Sequence, residues 1–375
     1  MRLLYLVNQR LPIEKAYGLQ IVKMAEAFAG LGLDVELVAP MRKDPIRKGI
    51  FEYFGVKSNF RATMIPSLDF YLPGRLDILA VRLKSFFSAI QLFLFSVSKK
   101  HDVIYSRDEL PLYFLSFFKK NLIFEAHKFS EKRNLFYKRF KKRRIKIVAI
   151  SDGIKNEFEK IGFTSFDLLT AHDAVDLRDF DIDLSKNEAR QRTSLALDKK
   201  IAVYSGHLFK WKGVDTLVEA ARILPEVLFV IIGGTEEDVK NHRTSAEAGK
   251  IGNILFLGHK PHRQVPLYLK AADVLILPNN KEEKISKLYT SPLKLFEYMA
   301  SKRPIVASDL PSIREVLNED CAVFFEPGRP IELATAVKRV INNDNLALAL
   351  SSKAFEKVQN HTWQKRAQKI LAFIA

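Results

Sequence analysis

Short apolar runs alternate with amphipathic helical patterns along most of this chain. Residues 3–7 and 35–39 are apolar runs of strand length, and a helical pattern at 18–31 lies between them. Continuous apolar runs joined by helices are typical of strands that are buried on both faces of a parallel sheet. The same alternation begins again at residue 201. The pattern therefore predicts an α/β protein with two parallel sheets.

A polar stretch separates the two halves of the chain. Residues 181–200 carry acidic and then basic side chains with few large apolar groups, which is typical of a linker. We therefore expect one domain at 1–180 and a second at 201–355, followed by a helical segment at 356–375. A chain of 375 residues, 47% of them hydrophobic, can bury two cores of ordinary domain size.

The first apolar run and the single cysteine indicate where the protein works. Cys321 has no cysteine partner in this chain, which fits a reducing compartment. The first apolar run is short and ends at Asn8, so we interpret it as a buried strand rather than a signal peptide. The longest uncharged run, 85–98, has fourteen residues and is too short to span a bilayer. These features predict a cytoplasmic protein.

Positive charge is concentrated in the first half of the chain. Of a net charge of +17, residues 1–150 carry most, with 28 Lys and Arg against 13 Asp and Glu. Segment 128–146 alone has ten basic residues and one acid, interleaved with aromatic side chains. Such a segment suits the surface of an anionic bilayer, single-stranded nucleic acid, or a solvated helix whose aromatic side chains face the core. We expect an anionic membrane surface, contacted by 85–98 and 128–146, and nucleic acid is the less favoured partner.

The strongest candidate site lies at the start of a predicted helix near residue 293. Ser291 is a good N-cap residue, and Pro292 suits the first helical position. The N–H groups of Leu293 and Lys294 then lack intrahelical acceptors, at the positive end of the helix dipole, and form an anion site. Glu297 lies one turn further on, where its carboxylate can accept hydrogen bonds from hydroxyl groups. A phosphate site beside a diol acceptor suits a nucleotide.

The same residues carry a resemblance to a known family. The stretch SPLKLFEYMASKRPIVASDLPSIREVL resembles the nucleotide-sugar site of GT-B glycosyltransferases, in the large retaining group known as family 4 or group 1. The resemblance implies two Rossmann-like domains that face each other across a cleft, with 356–375 crossing back to the first domain. It also implies that Glu297 holds the ribose hydroxyls. Most members have another glutamate eight positions earlier, where this chain has Tyr289.

Further site residues follow from that resemblance. His127 comes after a predicted strand and matches a histidine that lies near the transferred sugar, and Lys212 matches a lysine that grips the donor diphosphate. His207 stands near a family arginine. The remaining implied donor-binding positions are Gly18, Gly206, Gly258, His259, Lys260, Ser291, Leu293 and Lys294.

The sequence therefore predicts a retaining, metal-independent transferase of the hexosyltransferase type. It would move a sugar from a nucleoside-diphosphate sugar to a glycan or lipid-linked acceptor in polysaccharide biosynthesis, as a peripheral protein on the inner face of the membrane. No cofactor or metal is expected, because cationic groups can neutralise the leaving diphosphate. Two alternatives remain: a non-catalytic nucleic-acid-binding protein that uses 128–146, and a nucleotide-sugar epimerase on the same scaffold.

Overall fold

A computed structural model describes residues 1–42, 46–72, 74 and 77–375 of the chain. These residues form two compact units. Unit 1 comprises Met1–His172 together with Trp363–Ala375, and unit 2 comprises Asp173–Thr362. Each unit contains one parallel sheet covered by helices, and the predicted fold class is thereby confirmed.

Unit 1 contains a seven-stranded sheet in the order β3-β2-β1-β4-β5-β6-β7. The central strands are almost completely buried, as their continuous apolar sequences predict. The elements are β1 (Arg2–Leu6), α1 (Ala16–Gly30), β2 (Asp34–Met41), α2 (Ile50–Phe54), β3 (Arg61–Pro66), α3 (Asp77–Val97), β4 (Val103–Ser106), α4 (Glu109–Leu115), β5 (Leu122–Ala126), α5 (Asn134–Lys142), β6 (Lys146–Ala149), α6 (Asp152–Lys160), β7 (Leu168–Thr170) and, numbered last in chain order, α15 (Trp363–Ile374).

Unit 2 contains a six-stranded sheet in the order β10-β9-β8-β11-β12-β13. The elements are α7 (Lys186–Thr193), β8 (Lys200–Ser205), α8 (Val214–Ile223), β9 (Val227–Ile232), α9 (Glu236–Ala248), β10 (Ile254–Gly258), α10 (Val265–Ala271), β11 (Val274–Leu277), α11 (Leu293–Ala300), β12 (Ile305–Ser308), α12 (Pro311–Arg314), β13 (Val323–Phe325), α13 (Pro330–Ile341) and α14 (Asp344–Val358).

The polar stretch 181–200 is an ordered part of unit 2, and the chain divides at His172 instead of residue 180. Ser185 and Glu188 form a capping box that begins α7. From that helix the buried Arg190 side chain donates to Asp273 and to the carbonyl of Ala271. Lys186 also forms an ion pair with Asp273, so one buried carboxylate from a distant part of the sequence holds a segment whose composition is typical of a linker.

The chain enters unit 1 a second time at its C-terminus. Helix α15 packs against α1, and its Arg366 side chain donates to the carbonyls of Ala171 and His172. Helix α14, which covers part of the predicted terminal segment 356–375, belongs to unit 2. Of the predicted terminal segment 356–375, only the residues from Trp363 onward therefore lie in unit 1.

Helix α3 is longer than the uncharged run 85–98 suggested. It has 21 residues, and by length and composition alone it is apolar enough to cross a membrane. The uncharged run 85–98 therefore underestimates the apolar length of this helix, because Arg82 and Lys84 precede the run and lie within the same helix. Within unit 1, α3 packs against β2, β3 and α4. Lys84 on its inner side is buried and forms an ion pair with Asp69 at 3.7 Å.

Candidate functional site

The loop after β8 carries Lys212 on a tightly constrained turn. Gly213, at φ +73°, follows the single 3₁₀ turn Lys210–Lys212. A Cβ atom at Gly213 would lie 1.8 Å from the carbonyl oxygen of Pro278, at the end of β11. Only glycine fits this backbone conformation and this close approach. The loop is therefore held against the carboxyl end of the sheet, where doubly wound folds bind ligands.

Helix α11 brings a second lysine to the same edge of the sheet. Lys294 is 7% exposed, and its Nζ lies 3.9 Å from the centroid of the Tyr204 ring. This buried amine has no hydrogen-bond partner among the described residues. The helix is anchored to β8 because the Tyr298 hydroxyl accepts a hydrogen bond from the N–H of Ser205 at 2.8 Å. A Cβ atom at Gly206 would lie 3.7 Å from the Lys294 Nζ, an ordinary van der Waals distance, so the amine lies beside this glycine.

The pKa values of both lysines are lowered. Burial lowers the pKa of Lys212 to about 7. Burial, and then the charge of Lys212, hold the pKa of Lys294 well below its usual value, although Glu297 opposes the shift. A buried amine without a partner is costly unless an anion neutralises it. Two amines placed in this way form a site that is suited to a diphosphate.

The start of α11 differs from the prediction in one respect. Pro292 itself is the N-cap residue, at φ −75° and ψ 126°, and no side chain caps the helix. The expectation that Ser291 is the N-cap is therefore wrong, since its Oγ accepts a hydrogen bond from the N–H of Asp173 at 2.8 Å. The N–H groups of Leu293 and Lys294 remain in the first turn without intrahelical acceptors. Tyr289 is buried at the end of the π-helical turn Ile285–Tyr289 that precedes them.

Glu297 is held by a residue that the sequence analysis missed. The Nε2 atom of His262, in the turn after β10, lies 2.8 Å from the Oε1 atom of Glu297. A hydrogen bond at one carboxylate oxygen fixes the side chain and leaves lone pairs for a diol. In the sequence, His262 is marked only by its position four residues after Gly258. Its partner Glu297 lies 35 positions further along the chain, so no local pattern connects the two residues.

The other donor-side candidates lie on the loops around these residues. Gly258 ends β10 at φ +66°, and its carbonyl accepts a hydrogen bond from the N–H of Gly233. His259 is exposed and Lys260 is partly buried. His207 stacks on Phe209 with ring centroids 5.0 Å apart. The amine beside Gly206 is that of Lys294. The imidazole of His207 lies against the Phe209 ring.

A further candidate went unnoticed in the sequence. Asn279 lies two residues after the end of β11 and is fully buried. Neither its Oδ1 nor its Nδ2 atom has a hydrogen-bond partner in the described part of the chain. Buried amides are normally satisfied, so an unpaired one at the carboxyl end of a strand marks a candidate ligand contact. Asparagine at a strand end is common in turns, which is why the sequence alone gave no reason to select it.

In unit 1, His127 lies directly after β5 and contacts a buried carboxylate. Its Nε2 atom is 2.5 Å from Oε1 of Glu125, and its side chain is 21% exposed. Gly18 lies inside α1, where a Cβ atom would be 2.6 Å from Cγ2 of Ile13 and 3.0 Å from Cζ of Phe54. Close packing accounts for this glycine.

The protein has the GT-B fold of nucleotide-sugar-dependent transferases. The chain is similar to HepE of Anabaena, solved with UDP and glucose, with a TM-score of 0.76 and 17% identity over 99% of this chain and 98% of that one. It is also similar to sucrose-phosphate synthase of Thermosynechococcus elongatus, with a TM-score of 0.78 and 17% identity over 99% and 97% of the two chains. At this identity the likeness establishes the fold.

The second unit carries the sequence similarity. Residues 185–357, which lie within unit 2, match the model described as "Glycosyl transferases group 1". The chain is 27% identical over 217 residues to the putative teichuronic acid biosynthesis glycosyltransferase TuaC of Bacillus subtilis, covering 57% of this chain and 51% of TuaC. It is 29% identical over 166 residues to a phosphatidyl-myo-inositol mannosyltransferase of Mycobacterium leprae, covering 43% and 42%. The chain thus spans about half the length of the curated relatives it matches.

Proposed function

We propose that this protein transfers a sugar from a nucleoside-diphosphate sugar to an acceptor hydroxyl. The observation that carries the proposal is the buried, unpaired amine of Lys294 beside Lys212 at the start of α11. Surface lysines need no ligand, but a buried ammonium group without a counterion does. The solved structures of HepE with UDP and with UDP-glucose support a nucleotide sugar as the donor.

The chemistry follows from the charges at the proposed site. When the glycosidic bond to the diphosphate breaks, negative charge grows on the leaving phosphate. Lys212, Lys294 and the N–H groups at the start of α11 stabilise that charge more strongly than they stabilise the intact donor. Glu297, oriented by His262, accepts hydrogen bonds from the ribose. These cationic groups can neutralise the leaving diphosphate without a metal ion, and the match of residues 185–357 to the group 1 glycosyl transferases supports retention of the anomeric configuration.

A thermal-shift panel tests the donor proposal. A ligand that binds the native state raises the melting temperature, and a concentration of 100 times Kd adds about 2.7 kcal/mol to the apparent stability. We expect one of UDP, GDP and ADP to raise the melting temperature, and the matching nucleotide sugar to be hydrolysed slowly to the free nucleoside diphosphate. No shift with any of the three would contradict the proposal. Release of a changed free sugar without an acceptor would favour the epimerase alternative.

The proposed acceptor is lipid-linked and lies at an anionic membrane surface. Helix α3 supports this because several of its large apolar side chains face outward. Its inward side carries Lys84 and Ser88 as well as Ala89 and Leu92, all of them buried. The exposed large side chains of α3 and the adjacent end of α4 are Ile78, Leu79, Val81, Leu83, Phe86, Phe87, Leu94, Phe117 and Phe118. An exposed apolar patch of this extent is typical of an interaction surface.

Basic side chains border this apolar patch. The guanidinium of Arg139, on α5, lies 3.9 Å from the centroid of the Phe117 ring. Lysines of α5 also line a cavity of about 570 Å³ whose lining contains no acidic side chain: Asn134, Tyr137, Lys138, Lys141, Lys142 and Ile161. Tyr137 and Phe140 of the same segment face the core, as the solvated-helix alternative expected. The lysines remain exposed and are suited to lipid phosphate.

Vesicle flotation at a stated low salt concentration tests the membrane proposal. Each lysine near an anionic surface contributes about 1 kcal/mol, so Lys138→Gln, Lys141→Gln and Lys142→Gln together should weaken binding roughly 10²-fold. A control triple variant in unit 2, Lys199→Gln, Lys240→Gln and Lys338→Gln, changes the same charge and should bind like the wild type. Equal loss in both variants would indicate nonspecific charge attraction. Binding of single-stranded nucleic acid without vesicle binding would favour the nucleic-acid alternative.

A further inference from the structure

A buried polar network lies behind His127 in unit 1. Glu125, at the end of β5, is fully buried. Besides the His127 contact, its carboxylate accepts hydrogen bonds from Gln20 Nε2 at 2.6 Å, from the Tyr105 hydroxyl, and from Arg366 Nη1 at 3.3 Å. The donors come from α1, β4 and α15. The carboxylate of Glu125 is thus fixed in position from three other elements.

Arg366 determines the charge of that carboxylate. Burial alone would raise the pKa of Glu125. The nearby Arg366 guanidinium and the hydrogen bond from His127 outweigh burial and hold this pKa well below its ordinary value. An ionised carboxylate can only accept hydrogen bonds. The proton in the contact with His127 therefore belongs to Nε2 of the imidazole, and the partners of the ring assign this tautomer.

The other ring nitrogen of His127 is then a hydrogen-bond acceptor. Burial and the Arg107 guanidinium lower the pKa of His127 to about 4, although Glu125 opposes the shift and Arg366 adds to it. The imidazole is consequently neutral near pH 7. The structure shows no partner for Nδ1 within its described residues, and the side chain is partly exposed. A neutral nitrogen lone pair attracts a hydroxyl group and repels a phosphate or carboxylate oxygen.

We propose that Glu125, together with Arg366 of the C-terminal helix, is a positioning residue that presents Nδ1 of His127 to a sugar hydroxyl. A hydroxyl group is the expected ligand because Nδ1 of His127 can only accept a hydrogen bond. That this hydroxyl belongs to a sugar rests on the proposed sugar transfer. The C-terminal helix thereby becomes part of the substrate site in unit 1, although it lies 241 residues from Glu125 in sequence. Its function extends beyond packing against α1.

Nitrogen NMR of the histidine-labelled protein tests the tautomer without any nucleotide sugar. The chain has eight histidines, and loss of one signal set in His127→Gln assigns the residue. We expect the neutral Nε2–H form between about pH 6 and 8. An Nδ1–H form, or a doubly protonated ring, in the signals assigned to His127 at pH 7 would overturn the proposal. That result requires no measurement of activity.

Variants then connect the tautomer to transfer. Glu125→Gln should mix the tautomers and lower kcat/KM about tenfold or more, since it removes a charge-assisted hydrogen bond. Glu125→Asp should retain the Nε2–H form and recover part of the activity. Glu109→Gln, which also changes a buried glutamate of unit 1, should leave both readouts unchanged. An unchanged spectrum and unchanged kcat/KM in Glu125→Gln would refute the positioning role.

The outcome separates this inference from the proposed function. If His127 has the Nε2–H tautomer but the protein binds no nucleoside diphosphate, sugar transfer is refuted, and so is a sugar hydroxyl as the ligand of Nδ1. The orientation of His127 by Glu125 would still hold. The other tautomer in an active transferase would refute the role of Glu125 and leave the donor site intact.

Discussion

Replacement of Lys212 by alanine is expected to leave a folded protein with almost no transferase activity. The positive charge of Lys212 contributes to the lowered pKa of Lys294, and we propose that the two amines bind one diphosphate. Removal of a single group that stabilises a developing oxyanion typically costs about 10²–10³ in rate. Because the charge grows as the glycosidic bond breaks, the loss should appear mainly in kcat. Steady-state kinetics with the nucleotide sugar identified by the thermal-shift panel measures it.

A neighbouring lysine provides the control for that experiment. Lys210 lies in the same 3₁₀ turn and is exposed. Lys210→Ala removes the same charge from the same loop and should keep activity within a few-fold of the wild type. Wild-type turnover in Lys212→Ala would eliminate the proposed diphosphate site. Equal losses in both variants would indicate that the conformation of the loop, and not the Lys212 amine, is responsible.

Replacement of Lys294 by methionine is expected to stabilise the nucleotide-free protein while it abolishes nucleotide binding. Methionine has a similar length, and it removes a buried charge that has no partner. An unsatisfied buried donor costs about 1–3 kcal/mol, and the free energy of unfolding should rise by that order. Urea denaturation without ligand measures the gain, and titration with the nucleoside diphosphate measures the lost affinity. The two effects have opposite signs because the unpaired charge serves the ligand at the expense of stability.

Lys287→Met is the matched control, since Lys287 is exposed in the turn that precedes α11. It should change neither stability nor nucleotide affinity appreciably. If Lys294→Met instead lowered the stability and left nucleotide affinity unchanged, the amine would have a structural role and the donor site would lie elsewhere.

Some parts of the site could be predicted because they depend on residues that are close in sequence. Pro292 at a helix start, Glu297 one turn later and a lysine beside Gly213 are local patterns with local consequences. The strands were predictable for the same reason, and the apolar runs 3–7 and 35–39 correspond to β1 and β2. A run of apolar residues must be buried wherever it occurs.

Other parts depended on partners that no local pattern contains. Ser291 has the sequence of a helix cap, but its hydroxyl accepts from the N–H of Asp173, 118 residues away. The segment 181–200 has the composition of a linker, but Arg190 finds Asp273 across 83 positions. In both cases a tertiary hydrogen bond overrode a correct local propensity. The uncharged run 85–98 begins only after Lys84, whose charge is buried against Asp69, so that run covers only part of α3.

By itself the sequence determined the α/β class, the alternation of elements and the two lysine-bearing segments, because periodicity and helix-start chemistry act over a few residues. The tertiary structure decided that the Lys294 amine is buried without a partner, that His262 holds Glu297, and that Arg366 returns from the last helix to the carboxylate behind His127. Burial and the pairing of charges are properties of residues brought together by the whole fold, and their free energies are set by neighbours that are remote in the chain.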